Sequence, residues 1–259
     1  MLPLFVCVAL AYCAALASLV APVPRTSAWA GLSRGVLALA GVCHLAVIGS
    51  QCLAGRHPLA SFELSMSVGG WLAVAGYFAL SSRHRVMRPV AAAATVLALV
   101  SVTASVVSNP EAVESARESP WLLRVHISLA TIGVGGFALA TGVAGFYLSM
   151  QRRLRNHELP ATSRGTSLMG LDQLHYWVMA VVTPIFALAV ATGVVVAVQT
   201  GGDSLFSARV VASVGAFLAS VAVLTSRAIW GLRGRRAAWL TVLAALGVLV
   251  VLATYGVRA

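Results

Sequence analysis

The sequence predicts an all-α integral membrane protein: a bundle of about eight transmembrane helices with the N-terminus and C-terminus both extracytoplasmic. Three observations carry this. Of 259 residues, 59% are hydrophobic and 10% charged, and the mean hydropathy of +0.91 is far above what a soluble domain of this length tolerates. The apolar residues fall in eight runs, each near the ~20 residues that a bilayer crossing requires. The basic residues gather in alternate loops between those runs.

The first run, Leu2 to Val20, is short and is followed by small residues around "TSAWA". A secretory signal opens on a basic segment, and "MLPLFVC" has none, so it is read as a first helix. The second, Ser33 to Leu53, carries His44 near its middle in "GVCHLAV". The third, Leu59 to Leu80, is entered through "GRHPLASFELSMSVGGW", which sets Arg56, His57 and Glu63 at the head of a long apolar stretch. The fourth is Val86 to Val107. The fifth, Trp121 to Met150, exceeds a crossing and is predicted to tilt or to project into the cytoplasm. The sixth, Asp172 to Val198, is interrupted by Pro184, and Ser207 to Ser226 and Ala237 to Tyr255 complete the set. Strands of an outer-membrane barrel would alternate apolar and polar residues over about ten positions, which none of these runs does. Backbone satisfaction in lipid then leaves a helical bundle. With no linker, low-complexity tract or internal repeat, residues 1–259 read as a single polytopic membrane domain.

The formal charge of +11 comes entirely from arginine. Thirteen of the eighteen arginines lie at one set of helix ends: Arg25 and Arg34, then 83, 85 and 88, then 152, 153, 155 and 164, then 227, 233, 235 and 236. The positive-inside rule places those ends in the cytoplasm and both termini outside. Three of the seven acids, Glu111, Glu114 and Glu118, fall in an outer loop, in keeping with that orientation. A pI near 11.0 would also suit a nucleic-acid binder, but the arginines are spread over helix ends and form no patch interleaved with aromatics. Nucleic acid is therefore excluded as a partner, and the lipid bilayer is the expected one.

Ionisable groups within a membrane need a partner, a cavity or a function. His84 and His157 fall among cytoplasmic arginines and read as solvated. His175 follows Asp172 by one turn, and an aspartate capping the sixth helix beside a polar neighbour accounts for both. His44 is read either as a buried histidine bonded to neighbouring backbone or as a contact for haem or quinone. His57 and His126 lie at outer helix ends, His126 about two turns, or ~9 Å, beyond Pro120. Two neutral imidazoles at similar depth are what axial ligation of a haem iron requires, so His57 and His126 are the metal-ligand candidates. Cys7, Cys13, Cys43 and Cys52 show no Cys-x-x-Cys spacing and read as small apolar residues.

The segments "GRHPLASFELS", "PWLLRVHISLATIGVGGFALATG", "LDQLHYWVMAVVTPIFALAVATGVVVA" and "GLRGRRAAWLTVLAALGVLVVLATYG" occur in the order and spacing of the cytochrome c assembly protein family. The chain resembles that family over residues 41–256. The family includes the haem-handling CcsA- and CcmC-type proteins and the HemX-like members. The resemblance implies that His57 corresponds to a histidine of the membrane haem site and His126 to an external haem ligand. It also matches Glu63 to an early glutamate of the third helix. Gly231, Gly234, Arg235 and Arg236 match a basic turn, with Leu232 where tryptophan is usual. Arg56 is then poised for an anionic group such as a haem propionate, and His44 joins the cofactor-binding candidates. Departures matter as well. Haem-delivering members carry a tryptophan-rich loop where this chain has "VQTGGDSLFSAR", Thr225 stands where a membrane histidine is expected, and no second external histidine follows the final helix before Ala259. A HemX-like relative without the tryptophan loop is the nearest match, and haem binding is expected to be weak or exchangeable.

The leading expectation is an accessory protein of cytochrome c assembly in the bacterial inner membrane that binds or relays haem through outer-side histidines. Its expected partners are haem and cytochrome c assembly or haem-biosynthesis membrane proteins. The alternative is a HemX-like scaffold or regulator of a haem-biosynthesis protein that binds no haem itself. A small-molecule transporter is a third reading, for which broken helices in matching halves would speak. Enzymatic activity is not implied, since no nucleophile, metal cluster or paired carboxylate of suitable spacing occurs. The orientation is checked with a reporter active only outside the membrane: fused after Ala259 it is expected to work, and fused after Arg155 to fail.

Overall fold

A computed structural model describes residues 2–21, 27–59, 61–83, 88–107, 121–157, 167–200, 207–231 and 234–256. These form eight α-helices: α1 (Leu2–Val20), α2 (Ser27–Leu53), α3 (Phe62–Arg83), α4 (Arg88–Val107), α5 (Trp121–Arg155), α6 (Leu168–Thr200), α7 (Ala208–Trp230) and α8 (Arg235–Gly256). Each is long and apolar enough to cross a membrane, and no strand occurs among the described residues. The expected all-helical architecture, with eight helices long and apolar enough to span a membrane, is therefore what the described residues form. His84 and the acid-bearing loop of Glu111, Glu114 and Glu118 lie outside the described residues.

The chain divides into two compact units, residues 1–118 and 119–259. In the first, α1 packs on α2 and α4, and α3 packs on α4 and more loosely on α2, which closes a ring of four helices. In the second, α5 packs on α6 and α8, and α7 packs on α8 and more loosely on α6. The same cyclic order thus recurs, although the sequence shows no repeat.

Helix ends differ from the apolar runs where a local hydrogen bond decides them. Helix α2 starts six residues before Ser33. The Trp29 indole N–H donates to the Ser18 carbonyl of α1 at 3.1 Å, and Arg34 donates to the Ser81 hydroxyl of α3 at 3.3 Å, so both belong to the helix. Helix α3 starts three residues after Leu59, because the Ser61 hydroxyl accepts the Leu64 amide at 3.2 Å and caps it there. Helix α5 has 35 residues, roughly 52 Å of helix against a hydrocarbon core of about 30 Å. This is the excess its long apolar run predicts.

Asp172 corrects one expectation. It does not cap α6, which begins at Leu168 with the Gly170 amide donating to the Ser167 hydroxyl at 3.0 Å. Standing one turn inside, Asp172 instead clamps the turn between α7 and α8. Its Oδ1 accepts the Gly234 amide at 2.8 Å, and its Oδ2 pairs with Arg227 of α7 at 2.8 Å. Arg227 also donates to the Asp172 carbonyl at 3.1 Å and to Gln173 Oε1 at 2.9 Å, and lies 4.4 Å from the Tyr176 ring centroid. Its charge is therefore met by a carboxylate and an aromatic face together. Gly234 has φ 72, and a Cβ there would run into the Tyr147 hydroxyl of α5. Only glycine fits on both counts. His175, beside this clamp, places Nε2 2.8 Å from the Thr241 hydroxyl of α8, and that hydroxyl donates to the Ala237 carbonyl at 3.2 Å.

Removing one partner of a largely buried ion pair strands the other. Asp172→Ala is expected to cost about 3 kcal/mol of stability, read as a lower melting temperature in detergent. The double variant Asp172→Ala/Arg227→Ala is expected to be no less stable than Asp172→Ala alone, because the stranded cation is gone.

Candidate functional site

The entry to α3 is built by short-range hydrogen bonds. Helix α2 ends at Leu53 and is closed by Gly55, φ 78, with the Gly55 amide donating to the Cys52 carbonyl at 3.0 Å and the Arg56 amide to the Gln51 carbonyl at 2.9 Å. This is the paired closure of a Schellman end. The chain then passes through Arg56, His57 and Pro58, and the Ser65 hydroxyl of α3 returns to the Pro58 carbonyl at 2.8 Å. His57 is exposed, and its Nδ1 accepts the Leu59 amide at 3.2 Å. A neutral imidazole that accepts at Nδ1 carries its proton on Nε2. Glu63 lies in the first turn of α3, half-buried, where the helix N-terminus favours a carboxylate. It makes no hydrogen bond or ion pair among the described residues. Arg56, His57 and Glu63 thus share one loop and helix start, but no hydrogen bond joins the glutamate to the other two.

His44 lies within the first unit. It is wholly buried, with Nδ1 3.0 Å from the Tyr12 hydroxyl of α1 and Nε2 2.9 Å from the Ser67 hydroxyl of α3. Tyr12 and Ser67 are equally buried. Both ring nitrogens are therefore engaged by side chains of neighbouring helices. Backbone groups, which the sequence reading named as partners, are not involved.

His126 is seated differently. It lies on α5, half-buried, in the second unit. Its Nδ1 is 2.9 Å from the Ala189 carbonyl of α6. A carbonyl can only accept, so Nδ1 carries the proton and Nε2 keeps its lone pair. Nε2 has no hydrogen-bond partner among the described residues. It is not one of the enclosed atoms lacking a partner, which among the described residues are the hydroxyls of Tyr77 and Thr183.

The seat itself is the Thr192-Gly193 step of α6. A Cβ on Gly193 would stand 2.7 Å from His126 Cε1 and 3.1 Å from Nδ1, so the ring lies directly on the glycine. The Thr192 hydroxyl donates to the Leu188 carbonyl at 2.7 Å and stands 3.4 Å from Nδ1. Thr192 and Gly193 belong to a segment the resemblance had singled out, but their role as the histidine's seat was missed. Residue spacing gives no sign of which side chain crosses from the neighbouring helix.

The donor chemistry of His126 fits a haem iron: a neutral imidazole, its proton fixed on Nδ1 by a backbone carbonyl, presenting Nε2. No group of three or more His, Cys, Asp or Glu able to hold a metal ion occurs among the described residues. A bare ion would need such a group, whereas a metal bound within a porphyrin needs only axial ligands. His157, at the opposite end of α5, is exposed with φ 55.

A family model described as Cytochrome C assembly protein matches residues 59–259. No curated protein and no solved structure matches the chain.

If the imidazole rests on Gly193, then Gly193→Ala is expected to cost about 1 to 3 kcal/mol in a detergent unfolding measurement. The same change is expected to be nearly neutral in a His126→Ala background. An equal cost in both backgrounds would show that the ring is not what the new methyl meets.

Proposed function

The chain belongs to the cytochrome c assembly protein family, and from that premise we propose that it handles haem as cargo, with His126 as its iron-binding side chain. Its role lies in cytochrome c biogenesis as a multi-pass membrane protein. The proposal adds that it holds haem at the outer face of the bacterial cytoplasmic membrane. It acts as a HemX-like accessory that passes haem on without bond-making chemistry of its own.

The observation that carries this reading is the free Nε2 of His126, backed by the Ala189 carbonyl at 2.9 Å. The position of His126 at an end that the arginine distribution assigns to the outer side supports it. Binding is weak and exchangeable, because Val198 to Arg209 contains no tryptophan to cover a porphyrin face. That same lack favours the second reading, a membrane scaffold that steadies a haem-biosynthesis or cytochrome c assembly protein and binds no haem.

Haem titrated into the detergent-purified protein distinguishes the two. The haem reading expects a Soret band shifted from that of free haem, since an imidazole nitrogen bonds the iron. It expects His126→Ala to abolish that spectrum and His157→Ala to leave it unchanged. A titration with no histidine-dependent shift leaves the scaffold reading standing.

A further inference from the structure

Helix α8 has two faces. Ala237, Thr241, Ala244 and Val248 recur at three- and four-residue spacing and are buried within the second unit. Turned away from them are Arg235 and Arg236, both exposed, followed at the same spacing by Trp239, Leu243, Leu246 and Val250, each more than half exposed. From Trp239 to Val250 this face covers about 16 Å, which matches one leaflet's share of a hydrocarbon core about 30 Å thick. Charge, amphipathic ring and apolar side chains thus succeed one another in the order of a phospholipid's headgroup, ester region and acyl chain.

The donors at the head of this face are unspent. Arg235 and Arg236 make no hydrogen bond or ion pair among the described residues, whereas Arg227, at the same end of the unit, is met by Asp172 at 2.8 Å. The indoles of Trp29 and Trp71 donate to carbonyls of neighbouring helices, each at 3.1 Å. That of Trp239 donates to nothing among the described residues. Trp177 of α6 is exposed too, but the residue one turn ahead of it is Gln173, which already accepts from Arg227 at 2.9 Å. From this order and these unpaired donors we infer that the exposed face of α8 is a binding site for an anionic phospholipid. Arg235 and Arg236 hold the phosphate through charge-assisted hydrogen bonds, and Leu243, Leu246 and Val250 line one acyl chain. Trp239 donates to an ester or phosphate oxygen between them. An indole N–H facing lipid needs an acceptor, and a lipid ester supplies one at the depth where aromatic belts lie. The site requires neither haem nor the first unit.

The test uses the full chain, purified in detergent, stripped of lipid and titrated with phosphatidylglycerol or with phosphatidylcholine of the same acyl chains, bound lipid being counted by native mass spectrometry. Phosphatidylglycerol is expected to bind roughly thirtyfold more tightly, the contribution of two arginines near an anionic headgroup. Arg235→Gln/Arg236→Gln is expected to remove that preference. Trp239→Phe, which keeps an aromatic ring but has no N–H, is expected to weaken phosphatidylglycerol binding about fivefold. Arg152→Gln/Arg153→Gln removes as much charge from the same end of the unit, on the side of α5 away from the Tyr147 that meets Gly234, and is expected to change binding less than about twofold. All five side chains are exposed, so the lipid-free melting temperatures of these variants are expected to be unchanged. Equal affinity for the two lipids, or an equal loss in the two double variants, overturns the inference, as does Trp239→Phe binding as tightly as the unchanged protein. So does displacement of the lipid by inorganic phosphate at matching concentration, which would mean that Leu243, Leu246 and Val250 hold no chain.

Discussion

A polar side chain inside hydrocarbon must find its partner on the protein, and for three histidines and an aspartate of this chain the partner lies on another helix or helix-connecting turn. His44 is shared between α1 and α3, His126 bonds to α6, Asp172 to α7 and the Gly234 amide, and His175 to α8. Each such bond fixes a side chain and a helix contact together, because breaking it would leave an unsatisfied polar group where water cannot help. With apolar surface facing lipid, these few bonds do the specifying that a hydrophobic core does in a soluble protein. His126 is set apart from the others by an Nε2 that has no hydrogen-bond partner among the described residues and a backbone carbonyl on its other nitrogen.

That division separates histidines that look alike in the sequence. His44 and His175 lie within apolar runs, as His126 does. Both nitrogens of His44 are engaged and its side chain is wholly enclosed, which suits a pin across three helices. His126 differs by bonding to a backbone carbonyl on one side only. The carbonyl fixes the tautomer, the glycine beneath the ring fixes its position, and the Nε2 lone pair is left without a hydrogen-bond partner among the described residues. The Thr-Gly step and the basic turn thereby acquire physical meanings. The former receives an imidazole, and the latter is the loop that Asp172 holds to α6.

Most of the fold was legible because hydropathy and length determine it. All eight runs became helices, and the expected excess length of the fifth appeared as a helix reaching Arg155. The misjudged ends were those set by hydroxyl caps and cross-helix bonds, such as Ser61 ahead of α3 and Ser167 ahead of α6. The site was only partly legible. The sequence singled out His126 by its place at an outer helix end, but not Ala189, Thr192 and Gly193, which are 63 to 67 residues away and carry no chemical flag. It also grouped Glu63 with Arg56 and His57 by proximity along the chain, whereas the helix start holds the glutamate without bonding it to either. Asp172 was identified as a polar group needing a partner, but its partners lie 55 and 62 residues further along, beyond the reach of a helix-cap argument.

The claim at the centre of this account is that the Ala189 carbonyl makes His126 Nε2 the atom that meets iron. A structure of the haem-titrated protein in lipid nanodiscs tests it most directly. The account predicts iron bonded to His126 Nε2 with the Nδ1 hydrogen bond to Ala189 still formed. Iron bound through Nδ1, or haem bound with His126 still uncoordinated on α6, would contradict it.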